Sequence, residues 1–167
     1  ASQLAGRIVG AARDGSMVML AETPEQAREL SRALRARRDA APADAKPFEA
    51  VHTVFDFVPE QQAEKREVLL ALRERLLKAR RRGFIDDEDF ARVAPYLPPA
   101  ELMPWGAADL PEQVQRPFRD RAGQVGRLVL IEPTAGQSDS DVKYLMRWAD
   151  SFREVPLASG AVVRGSG

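Results

Sequence analysis

Apolar and polar positions along this chain form a pattern that is repeated near its two ends. Near the first end, the apolar run Met17–Ala21 predicts a short buried strand. Thr23 then supplies a helix N-cap and Pro24 the first helical position, so a helix is expected to follow. Residues 48–58 alternate between apolar and polar side chains, which is typical of a strand with one buried face. The first segment therefore predicts a strand, a helix and a strand.

The second end of the chain shows the same order of elements. Residues 127–132 contain an apolar run that predicts a buried strand. A helix capped by Ser138 or Ser140 is expected next, because apolar residues recur at helical spacing over residues 142–152. Residues 161–164 then predict a final strand. Two strand-helix-strand units in one chain indicate an α+β protein with a ferredoxin-like split βαβ fold.

The region between the two units, residues 59–120, is predicted to be a helical and proline-rich insert. Its strongest element is an amphipathic helix over residues 60–82, and Asp86 and Asp89 stand at capping spacing at the start of a short second helix. Six of the chain's twelve prolines follow within residues 95–117, so that stretch is expected to be extended. The expected organisation is one domain in four parts: a lead-in at residues 1–16, a first βαβ unit at 17–58, the insert at 59–120 and a second βαβ unit at 121–167.

Composition excludes several functional classes without naming one. The 167 residues include no cysteine, which rules out disulfides, thiolate-ligated metals and a cysteine nucleophile within the chain. Twenty-five basic side chains are matched by 25 acidic ones, so no overall charge attracts nucleic acid or anionic lipid. No apolar run approaches the roughly 20 residues that a membrane helix needs, and the N-terminus shows no secretory signal pattern.

Residue types that carry chemistry are sparse, and each fits a structural role. His52 is the only histidine, and no Gly-x-Ser-x-Gly elbow accompanies it, which argues against a catalytic triad. The acidic run 86–89 lacks the calcium-loop spacing and is interpreted as helix capping. Clusters of basic residues at 35–38 and 78–82 lie at predicted helix C-termini, where the helix dipole favours cations. We therefore expect no catalytic residues, no cofactor, no metal site and no nucleic-acid partner.

Several sequence features together resemble one known family. Residues 54–65 read Val-Phe-Asp-Phe-Val-Pro-Glu-Gln-Gln-Ala-Glu-Lys and lead into the long amphipathic helix. An Asp-Leu-Pro turn at 109–111, Phe118, a glycine-containing segment at 123–127 and a strand that ends before Pro133 follow. This order is similar to that of the extracytoplasmic loop of RND-superfamily exporters of the MMPL type, and the similarity covers nearly the whole chain.

The resemblance implies a periplasmic domain of a multi-pass protein of the bacterial inner membrane, placed between membrane helices that lie outside this sequence. Such a domain is RND porter-like and non-enzymatic. It would form part of the path of a hydrophobic or lipid-like substrate and would contact neighbouring periplasmic domains, with homo-oligomerisation of the parent as a further expectation. In this family the proton-coupling carboxylates lie in the membrane helices, so the resemblance assigns none here.

Apolar side chains of the insert are the expected lining of a substrate groove, because a hydrophobic ligand needs an apolar surface. The alternative is that each of them only covers the open face of the sheet. A different hypothesis for the whole chain is a free-standing ferredoxin-like regulatory or small-ligand-binding domain, and a small hydrolase of similar fold ranks third. The expected groove residues are Leu97, Leu102, Met103, Trp105 and Leu110.

Overall fold

The structure, a computed structural model, describes residues 16–134 and 141–165. The chain divides into two compact units: a helical unit, Pro59–Trp105, and a sheet unit that contains the remaining residues. The described helices are α1 Pro24–Ala40, α2 Gln62–Arg81, α3 Asp87–Val93, α4 Glu112–Gln115 and α5 Val142–Arg153. The described strands are β1 Met17–Leu20, β2 Ala50–His52, β3 Leu128–Glu132, β4 Val155–Pro156 and β5 Val162–Val163.

The main sheet has three strands in the order β1-β3-β2, and β3 runs antiparallel to both neighbours. Val18 is paired with Leu130 in one ladder, and Val51 is paired with Ile131 in the other. Because β3 is antiparallel to both, β1 and β2 are parallel to each other with one strand between them. Helix α1 connects them, so this half of the sheet unit is a split β-α-β arrangement. The α+β class predicted from the sequence is confirmed.

Helix α1 and strand β3 bring together the larger of the two cores of the sheet unit. Leu30 and Leu34 lie on one face of α1 and are fully buried, as their helical spacing predicts. They share a cluster with Ile131 of β3, Phe48 and Phe152 of α5. The N-cap is also as predicted, since the Thr23 side chain accepts a hydrogen bond from the Gln26 N–H at 3.1 Å.

A second core lies on the other face of β3. Successive strand residues point to opposite faces, so Leu130 leaves the first core and packs with Val54, Leu110 and Phe118. The Phe118 ring also meets Phe57 edge to face at a centroid distance of 6.1 Å. Strand β3 is therefore buried on both faces, which explains its uninterrupted apolar sequence.

The prediction of a strand over residues 48–58 is wrong for the residues after His52. The ladder ends there, and Val54–Phe57 form a 3₁₀ helix instead. Asp56 causes this change, because its carboxylate accepts the Thr53 N–H at 3.0 Å and closes a capping box around the turn. Alternation of apolar residues continues through the turn, so periodicity alone did not reveal the end of the strand.

The second predicted βαβ unit forms only in part. Strand β3 and helix α5 are present, but Val162–Val163 pairs with Val155–Pro156 in a separate two-stranded sheet, so no described residue adds a fourth strand to the main sheet. Asp141 caps α5, since its carboxylate accepts the N–H groups of Lys143 and Tyr144. The two serines predicted as caps, Ser138 and Ser140, lie outside the described residues. The predicted lead-in, residues 1–16, also lies outside them except for Ser16.

The insert contains the long helix that the sequence predicts, but its boundaries differ. Helix α2 covers Gln62–Arg81, and the compact helical unit ends at Trp105. Residues 106–120, which the sequence assigns to the insert, belong to the sheet unit, where Leu110 and Phe118 are core residues. The extended stretch predicted over residues 95–117 is interrupted by single turns of helix, among them α4.

We expect Asp56→Ala to lower the free energy of unfolding by about 1–2 kcal/mol, because it removes both a helix cap and a charged hydrogen bond. Arg35 of α1 donates to both carboxylate oxygens of Asp56, at 2.6 and 2.8 Å, and to the Val51 carbonyl at 2.8 Å. Urea unfolding measures the change. Asp39→Ala is the control: Asp39 is an exposed partner of its neighbour Arg38, and its loss should change stability by less than about 0.5 kcal/mol. Equal effects of the two substitutions would contradict the assigned role of Asp56.

Candidate functional site

The helical unit leaves most of its large apolar side chains in contact with solvent. No residue of α2 is buried, although α2 is the longest described helix. Among the described residues of this unit, Phe90 is the one large hydrophobic residue in the core. Exposed apolar side chains make this unit the place to look for a binding surface. The exposed large hydrophobic residues of the unit are Val68, Leu69, Leu72, Phe84, Val93, Tyr96, Met103 and Trp105.

Local sequence signals explain why the helical unit nevertheless has defined helix ends. Helix α2 stops at Gly83, which has a φ of 73° that other residues adopt only with strain. The Phe84 N–H donates to the Ala79 carbonyl and the Gly83 N–H to the Arg80 carbonyl, each at 3.0 Å. These two bonds form a Schellman motif and satisfy the last carbonyls of the helix. The predicted end of α2 is therefore confirmed.

The acidic run at the start of α3 is explained by helix capping and ion pairing. The Asp86 carboxylate accepts the Asp89 N–H at 2.7 Å, which confirms the predicted cap. Asp87 accepts a hydrogen bond from Arg80 at 3.1 Å, and the Arg80 guanidinium lies 4.1 Å from the ring centre of Phe90. Arg80 thus joins α2 to α3. No group of three or more metal-ligating side chains occurs within residues 16–134 and 141–165.

A pocket of about 280 Å³ lies between the first half of α2 and the segment 102–105. The segment is held in place by Gln62, whose side-chain amide donates to the Trp105 carbonyl at 2.7 Å and accepts the Trp105 N–H at 2.9 Å. This pair of bonds imitates one step of a β-ladder, so it fixes both the position and the orientation of the segment. The pocket is lined by Pro59, Gln62, Lys65, Arg66, Leu69, Leu102, Met103, Pro104 and Trp105.

The structure brings together three of the five residues predicted to form the groove. Leu102, Met103 and Trp105 all line the pocket. Leu97 is half-buried in the same unit but is not part of the lining. Leu110 lies elsewhere: it belongs to the sheet unit, where it is buried against Val54, Phe118 and Leu130, so its place in the predicted groove is corrected. Its Asp-Leu-Pro turn places this leucine in a core.

The side of the pocket formed by α2 was not predicted from the sequence. Leu69 supplies its apolar surface and belongs to the amphipathic helix that the sequence predicts, but it is not among the residues expected to line the groove. Lys65 and Arg66 add two cations, and no carboxylate of the described residues lies within 4.0 Å of either. The lining contains no carboxylate, hydroxyl or imidazole group, and its charged groups are the cations of Lys65 and Arg66.

The polar residues singled out in the sequence occupy structural positions in the sheet unit. His52 on β2 contacts Glu132 at the end of β3, with 3.0 Å between Nε2 and Oε2. Arg35 holds Asp56, and Arg38 donates to the Glu49 carbonyl at 2.8 Å. These contacts join α1 to the chain around β2, which is consistent with the structural role expected of this basic cluster.

Comparisons with known proteins do not assign the chain to a family. No protein-family model, curated protein or solved structure matches it. Within residues 16–134 and 141–165, no helix has the length and apolarity needed to cross a membrane.

Proposed function

We propose that this chain is a periplasmic domain of an RND/MMPL-type exporter of the bacterial inner membrane and binds a hydrophobic or lipid-like substrate as part of the transport path. The observation that carries the proposal is the pocket of about 280 Å³ in the helical unit, with Leu69, Leu102, Met103 and Trp105 in its lining. An apolar surface with few polar groups suits a ligand bound by burial of hydrocarbon. The domain binds this substrate without transforming it and needs no cofactor.

The strand order supports the finer fold assignment that this proposal includes. In a ferredoxin-like fold, each strand-helix-strand unit is split by a strand of the other unit. The order β1-β3-β2 has this property for the first unit. The chain differs from a ferredoxin-like fold in its last strand. In that fold the last strand would pair with β1, whereas here it pairs with Val155–Pro156. We therefore propose a ferredoxin-like, RND porter-like domain with an altered C-terminal strand.

Exposed apolar side chains outside the pocket support a second part of the proposal, contact with neighbouring periplasmic domains of the same transporter. Tyr96 is 85% exposed and Phe84 is 78% exposed, and neither lines the pocket. Exposed aromatic residues are typical of interfaces, where their burial contributes strongly to binding. Such contacts would also join copies of a homo-oligomeric parent.

We expect Met103→Glu to weaken binding of a neutral lipophilic probe, N-phenylnaphthylamine, at least tenfold, because it places a charge in an apolar lining. Met103 is 79% exposed, so the substitution should leave the fold intact. The measurement is fluorescence titration of the purified chain, followed by displacement with membrane lipid extract. Tyr96→Glu is the matched control, since it adds the same charge to an exposed position of the same unit outside the pocket.

Each outcome of this titration bears on the pocket. Displaceable binding that is lost in Met103→Glu and kept in Tyr96→Glu supports the proposed site. Binding that both variants retain would show that the probe occupies another surface, and absence of saturable binding to the unmodified chain would reject the substrate role.

The encoding reading frame separates this proposal from the alternative of a free-standing ferredoxin-like regulatory or small-ligand-binding domain. The transporter proposal requires apolar segments of about 20 residues on both sides of the sequence in the full gene. A start codon and a stop codon directly at its two ends would overturn the transporter proposal and favour the free-standing domain. The same pocket would then bind a small hydrophobic ligand for regulation.

A further inference from the structure

A second cavity, of about 510 Å³ and wide open to solvent, lies in the sheet unit beside the C-terminal end of α5. Three arginines line it: Arg37 from α1, and Arg147 and Arg153 from α5. Its volume is within the range of small-molecule sites. It is separate from the pocket of the proposed function, because all its lining residues belong to the other unit.

The two carboxylates that line this cavity already have cationic partners. Asp150 pairs with Arg153 of the same helix at 3.5 Å, and Glu154 pairs with Arg164 at 3.1 Å. Both pairs are exposed, so they lie at the rim. Neither of these carboxylates lies within 4.0 Å of Arg37 or Arg147. No other carboxylate of the described residues lies within that distance of the two arginines. Two guanidinium charges therefore remain without an acidic partner.

Arg37 has a fixed position because its guanidinium group donates to backbone carbonyls at the end of α5. Its Nη1 donates to the Ser151 carbonyl and its Nη2 to the Glu154 carbonyl, the latter at 3.2 Å. These bonds satisfy carbonyls that α5 leaves unpaired at its C-terminus. They also hold a positive charge beside the cavity, where it offsets the negative end of the helix dipole.

Arg147 differs from Arg37 because one of its donors has no partner. Its Nε is buried and makes no hydrogen bond, although the residue lines the cavity. A buried, unpaired N–H of a charged group is unfavourable and rare in folded proteins. Arg147 also lines the cavity, and its planar guanidinium group matches carboxylate and phosphate oxygens.

We propose that this cavity binds a small organic molecule through an oxyanion group, a phosphate or a carboxylate, held between Arg37 and Arg147. The remaining volume is lined in part by Ala41, Ala45 and Pro47, which suit a compact apolar portion of the ligand. The site adds an anion-binding function in the sheet unit to the hydrophobic pocket of the helical unit.

The test compares thermal unfolding of the full chain in sodium phosphate, sodium citrate and sodium chloride at equal ionic strength. Phosphate or citrate at a hundredfold excess over Kd should raise Tm by about 5 °C relative to chloride. Arg147→Met should lose this increase in Tm. In chloride its Tm should equal or exceed that of the unmodified chain, because methionine buries no unpaired hydrogen-bond donor. Arg153→Met, at the paired rim of the same cavity, should keep the increment.

The measurements in phosphate and in citrate distinguish a phosphate ligand from a carboxylate ligand, since the preferred anion gives the larger increase in Tm. Phosphate and citrate also stabilise proteins generally by exclusion from their surface, and the comparison with Arg147→Met separates that effect from binding. An equal increment in the unmodified chain and Arg147→Met would overturn the proposal, and so would a Tm in either anion no higher than in chloride.

Discussion

Replacing Phe118 by alanine is expected to lower the free energy of unfolding of the sheet unit by about 3–5 kcal/mol. Phe118 is 1% exposed and packs with Val54, Leu110 and Leu130 in the smaller of the two cores. Truncation removes the buried ring and leaves a cavity that the surrounding side chains can fill only in part. The loss is a large fraction of the 5–15 kcal/mol typical of folded domains.

Urea unfolding followed by circular dichroism measures this effect of Phe118→Ala. The matched control is Phe84→Ala, which removes the same atoms from a side chain that is 78% exposed and should change stability by less than about 0.5 kcal/mol. A midpoint shift with an unchanged m-value indicates altered stability alone. If Phe118→Ala were as mild as Phe84→Ala, residues 106–120 would not pack on the sheet, and the correction to the predicted insert would be wrong.

The second large effect is expected for Asp120→Ala, which should lower the free energy of unfolding by about 2–3 kcal/mol. The Asp120 side chain is 7% exposed, and its Oδ1 accepts the N–H groups of Ala122 and Gln124, each at 2.9 Å. Its Oδ2 accepts a hydrogen bond from Arg127 at 3.1 Å, and Arg127 in turn donates to the Ala21 carbonyl at 3.0 Å. Alanine would remove the carboxylate that joins these three donors, and the half-buried Arg127 guanidinium group would lose its charged partner.

Asp120→Asn is the matched control for this prediction. Asparagine has nearly the same shape and keeps an oxygen for the two backbone N–H groups, but it loses the charged partner of Arg127. We therefore expect Asp120→Asn to be clearly less destabilising than Asp120→Ala in the same urea experiment. Equal losses would show that the turn depends on the ion pair rather than on the backbone hydrogen bonds, and a negligible loss in both variants would contradict the role assigned to Asp120.

The helices could be predicted well from the sequence because their signals are local. Thr23 and Asp86 cap the helices that follow them, and Gly83 ends α2 with the positive φ that glycine tolerates. Each of these signals acts within a few residues. They describe α1, α2 and α3 without any knowledge of the sheet.

The ends and partners of the strands could not be predicted in the same way. The alternating pattern continues past His52 into the 3₁₀ turn, where Asp56 and Thr53 form a capping box. Residues 162–163 form a strand, as expected, but its partner is Val155–Pro156. A strand's hydrogen bonds lie outside itself, so its sequence carries little information about which strand it will pair with.

The candidate pocket was predicted only on one of its sides. Leu102, Met103 and Trp105 stand out because they are apolar residues in a proline-rich stretch. Leu69 on α2 completes the pocket, yet its helical spacing is equally typical of a core helix. The clamp from Gln62 to Trp105, which joins residues 43 positions apart, decides where the two sides meet.

By itself, the sequence determined the α+β class, the positions of α1, α2, α3 and α5 and the apolar character of β3, because capping, periodicity and hydrophobicity are properties of neighbouring residues. The tertiary structure alone decided that Leu110 is a core residue, that Leu69 faces a pocket and that Arg147 has a buried donor without a partner. These facts depend on contacts between segments far apart in the chain. Burial and hydrogen-bond satisfaction are defined only once those segments have packed together.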